Sequence, residues 1–151
     1  MESINKEIIY IINDLIEVID DRIKGYDTAS KEVKEADLKN IFNEISSKSK
    51  KLKEELIPIV LQHGGKIEKG TTDSGKIYKA WMDIKIALTG KNRKAILSSC
   101  EFGEDMACGI FEAALKNNRL PSDILSVIEK QKADLKIDHD KIKSMRDLRI
   151  A

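Results

Sequence analysis

Residues 3–33, SINKEIIYIINDLIEVIDDRIKGYDTASKEV, decide how the rest of the chain is read. Ile4, Ile8, Ile11, Ile12, Leu15, Ile19, Ile23 and Tyr26 recur at steps of three and four, the spacing that lines one face of an α-helix. Gly25 falls inside the pattern and weakens the helix by about 1 kcal/mol relative to alanine. An uninterrupted amphipathic helix of this length has to bury its stripe against partners of similar length.

Three such partners follow. A second helix is predicted from about Ala36 to His63, with Leu38, Ile41, Phe42, Ile45, Leu52, Leu56 and Ile59 as its stripe. Pro58 removes one backbone donor near its end, and Gly64-Gly65 stops it. A third runs from about Arg93 to Asn117, with Ile96, Leu97, Cys100, Ala107, Ile110, Phe111 and Ala114. A fourth opens at Pro121, which suits a first helical position, and continues to about Arg146. Its stripe is Ile124, Ile128, Leu135, His139, Ile142 and Met145. Between helices 2 and 3 lie a polar, glycine-rich loop over 66–76 and a short helix over about 77–88 bearing Tyr78, Trp81, Ile84 and Leu88. No internal repeat, heptad array or low-complexity tract is apparent. The expectation is a single domain over 1–151: an all-α, antiparallel four-helix bundle with a short extra helix in the crossover between helices 2 and 3.

Composition agrees and excludes several functions. Of 151 residues, 41% are apolar and 35% charged, and only two are proline. A chain of this length buries about 68–70% of its unfolded surface and needs no disulfide or metal to fold. Net charge is +1, with 27 basic against 26 acidic residues, which offers no bulk field for nucleic acid or an anionic membrane. The run Lys48, Lys50, Lys51 and Lys53 is followed at once by Glu54 and Glu55, the mark of a solvated, salt-bridging helix face. The N-terminus lacks the basic start and apolar run of a signal peptide, and no stretch of about 18 apolar residues is present. Cys100 and Cys108 stand about 12 Å apart along one helix, too far to pair with each other. These features predict a cytoplasmic protein with two buried, reduced thiols.

A di-iron bundle takes a Glu from each of two helices and Glu-x-x-His from each of the other two. The chain has two histidines; Val60 stands three before His63 and Lys136 three before His139. Glu44 is near the expected place on helix 2, but Ser47 stands where the histidine would be. What remains is a reduced polar set near mid-bundle: Asp20, Asp21, Glu44, Glu101, Glu104, Asp105, Gln131 and His139. From it, Glu44, Glu101, Glu104 and His139 are the candidate metal ligands, the alternative reading being solvated acids and a partly buried histidine. Gly70-Thr71-Thr72-Asp73-Ser74-Gly75-Lys76 has the look of a phosphate loop, but Ile77 stands where Ser or Thr should hold Mg²⁺, and no strand precedes it. Cys100 sits on an apolar stripe with no histidine near in sequence, which reads as core rather than nucleophile.

Several segments together resemble an uncharacterised bacterial family of ferritin-like four-helix-bundle proteins, classed as a domain of unknown function. They are Leu15-Ile16-Glu17, Gly25-Tyr26, Leu38 with Ile41-Phe42, and Gly64-Gly65. Trp81-Met82-Asp83-Ile84-Lys85 with Ala87-Leu88-Thr89-Gly90, and Cys100-Glu101-Phe102-Gly103-Glu104-Asp105, are the more specific. His139-Asp140 with Ile142 and Arg146-Asp147 completes the set. The resemblance implies a ferritin-like fold and no established activity. The expected role is non-enzymatic: an interaction, structural or stress-related protein with no resident cofactor, binding a protein partner or itself and neither nucleic acid nor membrane. The alternative is a metal-binding or oxidative protein carrying iron or another divalent ion at the reduced site.

Overall fold

A computed structural model of the protein describes residues 2–68 and 92–148, and within them every regular element is a helix. These are α1 (Glu2–Glu32), α2 (Ala36–Gln62), α3 (Arg93–Leu115) and α4 (Ser122–Asp147). The four long helices stand where periodicity put them, with ends shifted by one or two residues. One start differs in kind. Pro121, expected as the first helical residue, is instead the extended N-cap residue, and α4 begins at Ser122. The expected extra helix, Trp81 and the 70–76 loop lie outside the described residues.

The helices pack as two hairpins. α1 lies against α2, α3 against α4, and α1 of the first hairpin touches α3 of the second. The buried side chains fall into two apolar clusters. One joins Ile8, Ile12 and Leu15 of α1 to Leu56 and Val60 of α2, Phe111 of α3 and Ile124 and Ile128 of α4. The other joins Tyr26 of α1, Leu38 and Phe42 of α2, Leu97 and Cys100 of α3 and Ile142 of α4. α2 and α3 therefore run the same way, and the ends joined by the 63–92 connection lie at opposite ends of the bundle, as in a four-helix bundle with one crossover.

Buried positions step by four and three along each helix: residues 8, 12, 15, 19, 22, 26 and 29 of α1, then 97, 100, 104, 107, 111 and 114 of α3. Residues 38, 42, 45, 49, 52 and 56 of α2, and 124, 128, 131, 135, 138 and 142 of α4, do the same. That is the seam of helices packed in coiled-coil fashion. The sequence shows no such array because five of its places are polar: Arg22, Ser49, Glu104, Gln131 and Asp138.

α2 ends in a Schellman motif. Gly64 adopts φ 86°, its N–H donates to the Leu61 carbonyl, and the Gly65 N–H donates to Val60 at 3.0 Å. Gly65 then passes so close to α1 that a β-carbon would stand 2.7 Å from the Ile9 side chain. Buried Asn13 holds the chain there, donating to the Lys66 carbonyl at 3.0 Å and accepting from the Glu68 N–H at 3.2 Å. A β-carbon on Gly64 would meet nothing within 4 Å, so the left-handed backbone alone penalises a side chain there. Gly64→Ala is expected to lower unfolding free energy by about 1–2 kcal/mol, read from the urea midpoint with an unchanged slope.

Candidate functional site

Between the two apolar clusters lies a buried polar layer to which all four helices contribute. Its centre is Arg22 of α1, whose side chain is fully buried. Arg22 Nε donates to Glu104 Oε1 at 3.0 Å and Nη2 to Glu104 Oε2 at 2.9 Å, a two-point contact between α1 and α3. Nη2 also donates to Asp138 Oδ2 of α4 at 2.9 Å, and Nη1 to Ser49 Oγ of α2 at 2.6 Å. Ser49 passes its own proton to the Ile45 carbonyl at 2.7 Å.

Tyr26 stands one turn from Arg22 on the same face of α1 and donates its hydroxyl to Glu104 Oε1 at 2.6 Å. Its ring lies under the guanidinium, 5.6 Å from centroid to carbon, and against Phe42 at 5.5 Å. Lys48 of α2 reaches in from the surface to Asp138 Oδ1 at 2.8 Å. Two cations thus face two carboxylates, and the layer is neutral.

Burial would lower the Arg22 pKa, but Glu104, the Tyr26 hydroxyl and Asp138 outweigh it and hold the guanidinium charged well above its ordinary range. Burial, then Glu104, pushes Tyr26 far above the ordinary phenol value, so Tyr26 stays a proton donor. Glu104 accepts three hydrogen bonds, two from Arg22 and one from Tyr26. To bind a metal ion, Glu104 would have to surrender the two-point contact and leave the buried guanidinium with Asp138 as its remaining carboxylate, at a cost of several kcal/mol.

The four candidate ligands do not converge. Glu104 belongs to this layer. Glu44 is exposed on α2 and pairs with Lys141 at 3.4 Å. Glu101 contacts Arg146. His139 faces Asp105 from the opposite side of the α3–α4 hairpin, with Nε2 2.7 Å from its carboxylate. Glu101, Asp105 and His139 do come together, with one ligand atom of each within 4.8 Å of the others. Asp20 pairs instead with Lys53 at 2.7 Å. Gln131 is buried and donates to the Leu52 carbonyl and to Glu55, while its Oε1 has no protein partner among the described residues. The sequence reading does not include Arg22, Ser49 and Asp138: their polarity suggests solvent, and only their place on the seam turns them inward.

The thiols depart in part from expectation. Both are free, Cys100 buried and Cys108 only half-buried. Burial and then Glu104 raise both, Cys108 to about 11 and Cys100 further, so neither is an activated nucleophile.

A family model described as a domain of unknown function (DUF2383) matches residues 7–117. No curated protein matches the chain.

Two outcomes follow from the geometry. Glu104→Leu and Arg22→Met should each cost about 3–5 kcal/mol, because each strands a buried partner. Arg22→Met/Glu104→Leu should cost less than their sum by on the order of 1–3 kcal/mol in urea unfolding. Strict additivity would mean that the two side chains do not act as a pair. Labelling of the native protein by a thiol reagent should be confined to Cys108. With its pKa near 11 the rate should climb roughly tenfold per pH unit from 7 to 10, as the thiolate fraction does.

Proposed function

The chain belongs to that family, and we propose that it serves as a non-enzymatic helical scaffold acting through contacts with another protein or a second copy of itself, not through an iron centre. One observation carries this reading: Glu104 is fully engaged by Arg22 and Tyr26 at the level where the four helices meet. In a di-iron bundle, inward carboxylates at that level are neutralised by metal ions. Here a side-chain cation of the protein itself does so. An interior saturated in this way offers neither an open coordination position nor a group poised for proton transfer.

The ferritin-like character, and any link to stress physiology, rest on the sequence resemblance and on fold analogy. A cytoplasmic setting is supported by the two free thiols. No described helix is long and apolar enough to cross a membrane.

The discriminating experiment supplies Fe(II) to the purified protein in air. Oxidation should run at the rate of protein-free buffer, and wild type and Glu104→Gln should be indistinguishable. Catalytic oxidation by the wild type, abolished by Glu104→Gln, would refute the scaffold reading. Light scattering on the eluted protein then tells self-association from a search for a partner.

A further inference from the structure

The outer side of the α3–α4 hairpin carries a second constellation, distinct from the buried layer. Glu101 and Asp105 stand one turn apart on α3, and His139 meets them from α4. His139 Nε2 lies 2.7 Å from Asp105, and its Nδ1 lies 3.0 Å from Asp140 Oδ1. We propose that Glu101, Asp105 and His139 form a binding site for a divalent first-row transition ion of the zinc type, with water completing the coordination.

The donor set is one imidazole nitrogen and two carboxylate oxygens. Zinc accepts both kinds at about 2.0–2.2 Å and tolerates three protein ligands with an open fourth position. At those bond lengths tetrahedral donors sit about 3.3 Å apart. The Asp105–His139 contact would open slightly, and the other pairs, all within 4.8 Å, would draw together around the ion.

Asp140 supplies what a ligating histidine requires behind it. By accepting the Nδ1 proton it fixes the ring and leaves Nε2 for the ion. Entry is open, because the Asp105 side chain is 60% exposed while His139 is 18% exposed.

Charge favours a cation. Glu101, Asp105 and Asp140 surround one imidazole, and the guanidinium of Arg146 that touches Glu101 is shared with Asp147. Without a metal, a proton fills part of that role: burial opposes it, but the bond to Asp140 and the charges of Asp105 and Glu101 raise the His139 pKa above its ordinary value. The Arg22 layer faces inward and is untouched, so this site stands or falls independently of the iron experiment.

Zinc titrated into the metal-free protein by calorimetry in non-chelating buffer, with Co(II) absorption as a second probe, tests the site. One equivalent per chain is expected, weakened at least tenfold by His139→Ala or Asp105→Asn and about tenfold by Asp140→Asn. Arg146→Ala should bind more tightly, because it frees Glu101, whereas Glu44→Gln should not change affinity. The chain has two histidines, so imidazole NMR separates them: zinc should move His139 and leave His63 in place. Absence of saturable binding up to millimolar zinc, binding unchanged in His139→Ala, or a response at His63 instead would overturn the proposal.

Discussion

A guanidinium cannot be left alone in a protein interior, and the architecture is arranged around that fact. Arg22 is fully buried. Removing such a charge from water costs several kcal/mol unless its donors are matched in place. Glu104 on α3, Asp138 on α4 and Ser49 on α2 supply the match, while Tyr26 completes Glu104. Apolar clusters above and below can be satisfied by many arrangements of Leu and Ile, because dispersion and hydrophobic burial are not directional. The Arg22 layer has far fewer solutions. Sliding α3 by one turn along α1 would strand the guanidinium and the Glu104 carboxylate together, so the layer sets the register of the two hairpins.

The same layer determines what the interior can do. A metal ion and a guanidinium are alternative ways to neutralise converging carboxylates, but they differ in consequence. A metal keeps exchangeable positions and polarises what it binds. A guanidinium has no empty orbital, does not titrate in the physiological range, and consumes carboxylate lone pairs in fixed directions. Lys48 pairs with the other oxygen of Asp138 from the surface, with its side chain partly in solvent. The interior is thus ordered, neutral and chemically quiet.

How far the sequence discloses this depends on the physics that sets each feature. Helix positions were legible because they follow from periodicity and local stop signals: Gly64 and Gly65 end α2 by backbone geometry that no distant contact alters. The seam was legible only in its apolar members. The apolar stripe of α1 runs through Ile19, Ile23 and Tyr26, whereas the packed row takes Arg22, three after Ile19 and four before Tyr26. Glu104 was singled out, together with Glu101 and Asp105, for spacing within α3. Which of the three turns inward is decided by the seam: Glu104 follows Cys100 by four and precedes Ala107 by three, whereas Glu101 and Asp105 lie off that row. Asp138, beside His139, is likewise a charge whose sequence position alone reads as solvent-facing. The partner of a buried charge sits on another helix, and no local pattern reveals it.

Once the acids are sorted by direction, the chemistry relocates. Glu104 and Asp138 point inward and are spent on Arg22, whereas their neighbours Glu101, Asp105 and His139 gather on another face of the same hairpin, with Asp105 exposed. A one-residue step along a helix turns a side chain by about 100°, enough to separate an interior that holds the fold from a surface that can exchange ligands with solvent. The rigid inner layer also serves the outer group. By fixing α3 against α4 through Arg22, it holds Glu101 and Asp105 opposite His139. Residues relieved of fixing α3 against α4 can be protonated, metallated or mutated with little effect on folding, and that is the condition a reversible binding site on a small helical protein must meet.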